Sequence, residues 1–401
     1  MTVLHTIHHK LKTTEVLINK DKMISEKYTS LFSNAPDLFV TSPGRINLIG
    51  EHLDYNGGWV LPAAIDKKIS FAIGKRSDNA LHLYSMDYET LEIIPLSNIV
   101  SSAQSWVNYL LGVVDQFQKE QPLPSGFNLV FGGDVPLGAG LSSSAAVEAG
   151  LAFAINELFD LKKPRMELVK LAQRAENQFV GVQCGIMDMF ASMMGQAGKV
   201  MRLDCRSLEF QYFPFDFKDI KIVLCDSGVK HSLADGQYNI RRKQCEEGVS
   251  ILKKHNPSVL TLRDVPLSFL KKHRDEMPPL VFQRCQYVVK EIARVEAACK
   301  DLERHDLAAF GQKMFETHTG LSHYYEVSCP ELDFLVKKAK NEEAVFGSRM
   351  MGGGFGGCTI NLVKTDAIPQ FITDMKAAYL KKYKIDLKTY VVTISNGTTR
   401  L

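Results

Sequence analysis

The chain has 401 residues, 45% of them hydrophobic and 9% aromatic, which is long enough for two or three domains with a sizeable apolar core. Its 48 basic residues against 45 acidic ones leave a net charge of +3, too even a balance for a nucleic-acid or anionic-membrane surface, so a small-molecule partner is expected. No apolar run approaches the roughly 18 residues that span a bilayer and the N-terminus has no signal-peptide core, which predicts a cytoplasmic protein without a membrane partner.

Residues 1–20 are polar and weakly patterned, and His5, His8 and His9 there read as part of a flexible, solvent-exposed leader. A first helix is expected over 24–32. From residue 38 to about 204, extended runs (LFVTSPGRINLIG, ALHLYSM, FNLVF, KVMRL) alternate with helical ones (WVNYLLGVVDQFQKE, AAVEAGLAFAINELF, RMELVKLAQRAENQFV), the pattern of a mixed sheet packed with helices. From about residue 221 the pattern restarts with KIVLCDS, a basic helix around 238–254, further helices to 339, then CTINLV and TYVVTIS. The expected fold class is therefore α+β, with an N-terminal domain over 21–215 and a C-terminal α+β domain over 216–401; no linker marks the join. The eight cysteines include no C-x-x-C pair and predict reduced thiols with no cysteine metal site.

Three stretches carry the chemistry. In VPLGAGLSSSAAVEAG (135–150), glycines and three serines precede an apolar helix expected over 145–161, so Ser142, Ser143 and Ser144 read as N-terminal caps. A strand, a glycine-rich turn and a helix start gather free N–H groups and the positive end of a helix dipole, which suits a phosphate. The loop lacks the Gly-Lys-Ser/Thr of a Walker A motif. SPGRINLIGEHLDYNGGWVLPAAID (42–66) clusters Arg45, Glu51, His52, Asp54 and Tyr55, a density of short-range hydrogen-bonding groups suited to a polyhydroxylated ligand. AENQFVGVQCGIMDMF (175–190) sets Glu176 near a helix end and Asp188 after a glycine turn, where taken alone it reads as a helix cap. Gly352–Gly357 matches G-x-G-x-x-G but leads into a strand, so a dinucleotide fold is not expected.

Together PGRINLIGEHLDYNGG, PLGAGLSSSAA and MMGGGFGGCTI resemble the three ordered motifs of the small-molecule kinases that include galactokinase, homoserine kinase and mevalonate kinase. AENQFVGVQCGIMD, DCRSLEF, DSGVKHSLADGQYNIRRKQCE and YEVSCPELD are similar to galactokinases in particular. The resemblance implies a two-domain kinase fold with the active site in the cleft, and ATP-dependent phosphorylation of α-D-galactose to galactose 1-phosphate, the first committed step of galactose catabolism. It implies that Gly138, Ala139, Gly140, Leu141, Ser142, Ser143 and Ser144 wrap the ATP phosphates, that Trp106 lies beside the adenine, and that Ser144 and Glu176 approach Mg2+. It further implies that Asp188 and Arg45 are catalytic and that Glu51, His52, Asp54, Gly185 and Tyr238 join them around the sugar. Two positions depart from the galactokinase pattern: Leu53 stands for the usual Thr and Met189 for the usual Gln. A sibling kinase acting on N-acetylgalactosamine and a galactose sensor that transfers nothing are the alternatives; an intact GLSSSAA loop favours catalysis. No obligate protein partner is implied, and a monomer is the expectation.

Overall fold

A computed structural model of the protein describes residues 20–136, 138–229 and 234–401. The expected leader lies outside the described residues except for Lys20, which already belongs to helix α1 (20–32) and donates from Nζ to the Gly133 carbonyl at 3.0 Å.

The first sheet is built from β1 (Leu38–Asn47), β3 (Pro62–Lys75), β4 (Ala80–Ser85), β5 (Thr90–Pro95), β6 (Phe127–Gly133) and β13 (Thr399–Arg400), ordered β13-β1-β3-β6-β4-β5. Its pairs are antiparallel except β4 with β6, so it is mixed, as expected. The chain's last strand thus returns to the first sheet, beside β1. On one face Ala72 and Val130 meet Ile24 and Tyr28 of α1. The other face is covered by α3 (Ser143–Leu158), where Gly150 is needed: a Cβ there would lie 2.3 Å from the Phe71 ring. Burial on both faces makes β3 a continuous apolar run, SFAIG, with no alternation for sequence reading to detect.

The second sheet, β10 (Val345–Met350), β11 (Cys358–Lys364), β9 (Ile220–Asp226) and β12 (Lys388–Val392), is antiparallel in that order. Its strand β9 alternates: Ile222 and Leu224 enter the main core, whereas Val223 and Cys225 pack with α10 (Pro330–Lys340) and α11 (Ile368–Tyr383). A small third sheet joins β2 (Trp59–Val60), β7 (Lys199–Asp204) and β8 (Phe210–Pro214). Helices α2 (Ser105–Glu120), α4 (Arg165–Arg174) and α5 (Met187–Met194) complete the N-terminal half. Helices α6 (Ala234–Lys253), α7 (Leu267–Lys272), α8 (Pro279–Glu303) and α9 (Leu307–Thr319) lead to the second sheet's last three strands. All eight cysteines are free. Among the described residues no helix is long and apolar enough to cross a membrane.

Candidate active site

The site begins with a defect in β1. Its pairing with β3 shifts register between Pro43 and Arg45, because Gly44 passes so close to the phosphate loop that a Cβ would sit 2.8 Å from the Leu141 carbonyl. The shift ties Arg45 to that loop: its backbone N donates to Leu141 O at 3.1 Å and Nη1 to Gly140 O at 2.6 Å. The rest of the guanidinium forks onto Asp188, Nε to Oδ1 at 2.7 Å and Nη2 to Oδ2 at 2.8 Å. Burial opposes the Arg45 charge, but the Asp188 carboxylate outweighs it and the arginine pKa is raised. Asp188 lies in the first turn of α5 and accepts no backbone cap bond there; its role as a cap is replaced by this ion pair.

The phosphate loop departs from expectation at its serines. Helix α3 begins at Ser143, and Ser142 stands at the N-cap in the left-handed region (φ 56°) without a side-chain cap bond. Its hydroxyl donates to Asp188 Oδ2 instead, so the cap is given up to a contact across the site. Gly138 and Gly140, both at φ 74°, are exposed between the buried anchors Ala139 and Leu141. Helix α4 runs directly into a π-helical turn over Ala175–Val180, which presents Glu176. Burial raises the Glu176 pKa.

Across from these groups lies a polar wall. Glu51 is buried and fully engaged: Asn47 Nδ2 donates to Oε2 at 2.8 Å, and Arg349 Nη2 and the Gly352 N–H donate to Oε1 at 3.0 and 2.8 Å. Arg349, itself fully buried, also donates to the carbonyls of Asn47, Leu48 and Met350, clamping the glycine run to the end of β1. Burial lowers the His52 pKa to about 4, so the ring is neutral at pH 7. Its Nε2 lies 3.2 Å from Gly353 O, an acceptor, so Nε2 carries the proton and Nδ1 accepts from Tyr55 OH at 2.8 Å. The same direction passes on through Tyr325 OH, 2.8 Å from Tyr55 OH, to the Cys245 thiol at 3.3 Å. Burial pushes Asp54 up to about 6. Gly185 is the reason Asp54 fits, since a Cβ there would lie 2.0 Å from Asp54 Oδ2. The Tyr238 ring packs 5.4 Å from His52 and 5.2 Å from Tyr55.

A cavity of about 450 Å³ brings together Arg45, Glu51, His52, Asp54, Glu176, Gly185, Asp188 and Tyr238. The phosphate loop is tied to its lining through Gly140, which accepts from Arg45, and Ser142, which donates to Asp188. Trp106 does not line it: the indole is buried in α2 and stacks at 5.9 Å on the exposed Tyr88. Leu53 and Met189, the two departures from the galactokinase pattern, are fully buried in the main core and do not line it either. Arg349 and Tyr325 were not foreseen as parts of the site; Tyr325 opens YEVSCPELD and Arg349 precedes the glycine run in sequence, but only the fold sets them against Glu51 and the His52–Tyr55 pair.

This combination of sheets, glycine-rich loop and cleft defines a small-molecule kinase of the GHMP class. Residues 108–196 match the GHMP kinases N terminal domain and residues 298–381 the GHMP kinases C terminal family, while 26–75 match the galactokinase galactose-binding signature. The chain is 38% identical to a galactokinase of Clostridium acetobutylicum over 94% of its own length and 98% of the relative's. It is 39% identical to one of Fusobacterium nucleatum over 90% and 94%. The crystal structure of Lactococcus lactis galactokinase complexed with galactose superimposes with a TM-score of 0.91 at 32% identity, covering 95% of this chain and 99% of that one. A mevalonate kinase shares the fold, with a TM-score of 0.63 at 18% identity over 90% of this chain and 100% of that one. The chain belongs to the galactokinase family and is an ATP-dependent sugar kinase.

Proposed function

We propose that the cleft transfers the γ-phosphoryl group of ATP to the anomeric hydroxyl of α-D-galactose, giving α-D-galactose 1-phosphate and ADP. The observation that carries this reading is the forked Arg45–Asp188 pair, which stands where Gly140 and Ser142 of the phosphate loop meet the polar wall of Glu51, His52, Asp54 and Tyr238. Asp188 accepts the proton of the anomeric hydroxyl as that oxygen bonds to the γ-phosphorus and the bond to the ADP oxygen breaks. Arg45 aims the carboxylate and keeps a positive charge beside the transferred group. Gly138, Ala139, Gly140, Leu141, Ser142, Ser143 and Ser144 hold the phosphates through backbone N–H groups and hydroxyls at the start of α3. Trp106, stacked on the exposed Tyr88, supports the adenine side.

Ser144 and Glu176 fit Mg2+. The Glu176 carboxylate is buried, with its pKa raised, and no salt bridge holds it among the described residues, while Mg2+ favours few protein oxygens alongside phosphates and water. Bound there with ATP, the ion would offset phosphate charge. A cytoplasmic monomer divided into domains near residue 215 belongs to the same proposal.

The test is a panel of galactose, glucose and N-acetylgalactosamine with ATP and Mg2+, read by ADP release and product mass. Galactose is expected to give a hexose monophosphate labile at C1 and to be preferred over glucose, because a mismatched hydroxyl leaves buried groups unpaired, a loss of about 1–3 kcal/mol. Equal turnover of glucose would overturn the sugar assignment, and absence of any phosphorylated sugar would overturn transfer.

A further inference from the structure

Away from the cleft, the loop after α6 and the turn before α8 bring three side chains to one point. The two carboxylate oxygens of Glu276 face two different imidazoles: His255 Nε2 lies 2.5 Å from Oε2 and His273 Nδ1 lies 2.8 Å from Oε1. The two rings stack with centroids 4.0 Å apart and planes 26° from parallel, each with one nitrogen against Glu276, so the exposed His255 ring must turn for both lone pairs to meet on one ion. One ligand atom from each of the three residues lies within 4.8 Å of the other two. His273 is buried, held by the Phe269 ring at 4.7 Å, whereas the side chains of His255 and Glu276 are 36% and 45% exposed and open the point to solvent. Arg274, next in the chain, is turned onto the Phe282 ring at 5.3 Å.

None of the three lines the cleft or touches the phosphate loop, so sugar and nucleotide binding do not account for them. An exposed carboxylate bridging two imidazoles contributes little to stability as an ion pair. Two imidazole nitrogens and one carboxylate oxygen are the donor set of borderline transition metals, and three protein ligands leave a position for water.

We propose that His255, His273 and Glu276 form a binding site for a transition-metal dication of the Zn2+ type, which staples the C-terminal end of α6 to the turn leading into α8. The metal takes the place of the two N–H protons now directed at Glu276. At His273 the ring proton moves to Nε2, a buried atom without a partner, which makes the site one of moderate affinity. Mg2+ is a poor competitor, because it prefers oxygen ligands.

The experiment titrates the full-length protein with Zn2+ alone, without nucleotide, by calorimetry, and repeats the titration on His255→Ala and Glu276→Gln. Both altered side chains are partly exposed, so the fold tolerates the changes. One Zn2+ per chain is expected, with binding weakened about tenfold or more in each variant. Co2+ should give the visible bands of a tetrahedral site in the parent protein and lose them in His255→Ala. Melting temperature should rise with Zn2+ in the parent alone, and His255→Ala should keep full kinase turnover. Undiminished Zn2+ binding in both variants would place the metal elsewhere, and no binding at about 100 µM metal, a hundred times a micromolar Kd, would overturn the site.

Discussion

The two walls of the cleft are built on opposite principles. On the sugar wall almost every polar group already has a protein partner: Glu51 has three donors, His52 has both ring nitrogens engaged, and Arg349 reaches three carbonyls. On the phosphate wall the glycines are exposed, Ser142 forgoes its cap and the first-turn N–H groups of α3 receive no side-chain cap. A sugar needs its hydroxyl partners fixed before it arrives, since misaligned groups lose discrimination. An anion needs donors that nothing else has satisfied. Asp188 and Arg45 sit on the seam and draw on both walls.

The sharpest way to break this contrast is at Arg349. Arg349→Met leaves Glu51 buried without its guanidinium partner and should lower stability by about 3–5 kcal/mol, measured by urea unfolding. A loss below about 1 kcal/mol would mean that the clamp is not what orders the sugar wall.

Acid titration tests the same wall from within. The folded pKa of His52 is depressed from 6.5 to about 4, so its contribution to stability is complete above pH 6.5 and is lost as pH falls toward 4, about 3 kcal/mol in all. That of Asp54 is raised from 3.8 to about 6, so its contribution is present below pH 3.8 and is lost as pH rises through 6, again about 3 kcal/mol. Two residues apart, the groups nearly cancel between pH 4 and 6. Asp54→Asn should therefore unmask a steep loss of stability on acidification, seen as melting temperature against pH, whereas an unchanged profile would contradict the burial of both charges.

What the sequence discloses and what it hides divide along the same lines. The phosphate wall is local: turn glycines, three serines and a helix start follow one another within 135–150, so the loop can be read in one dimension. The residues of the sugar wall within 42–66 are equally compact. Their supports are not. Arg349 reaches Asn47, Leu48 and Glu51 from some 300 positions away, and the His52–Tyr55–Tyr325–Cys245 chain joins three separate segments. Ser142 misled because its propensity for capping is real, but Asp188 offers its hydroxyl a stronger, charged acceptor. For Trp106 the resemblance implies a place beside the adenine, and the fold buries its indole in α2 against Tyr88 and Phe131.

Smaller effects should sort by wall. Gly185→Ala must displace the Asp54 carboxylate from 2.0 Å, so the KM for galactose should rise about tenfold or more while that for ATP changes little. A parallel rise in both would mean that the walls are mechanically coupled. Ser142→Ala should lower stability by about 1 kcal/mol in the parent protein and by less in Asp188→Ala, because the bond lost runs to that carboxylate and not to a cap; equal losses in both would mean that the serine caps α3.

The proposed transfer rests on the group on the seam, which should be dispensable for holding the ligands. Turnover, galactose binding by calorimetry and melting temperature on a single preparation of Asp188→Ala test it most directly. Turnover is expected to fall about 10²-fold or more, with galactose still bound and the protein still folded. Near-normal turnover with a lowered melting temperature would contradict it and return Asp188 to a structural role.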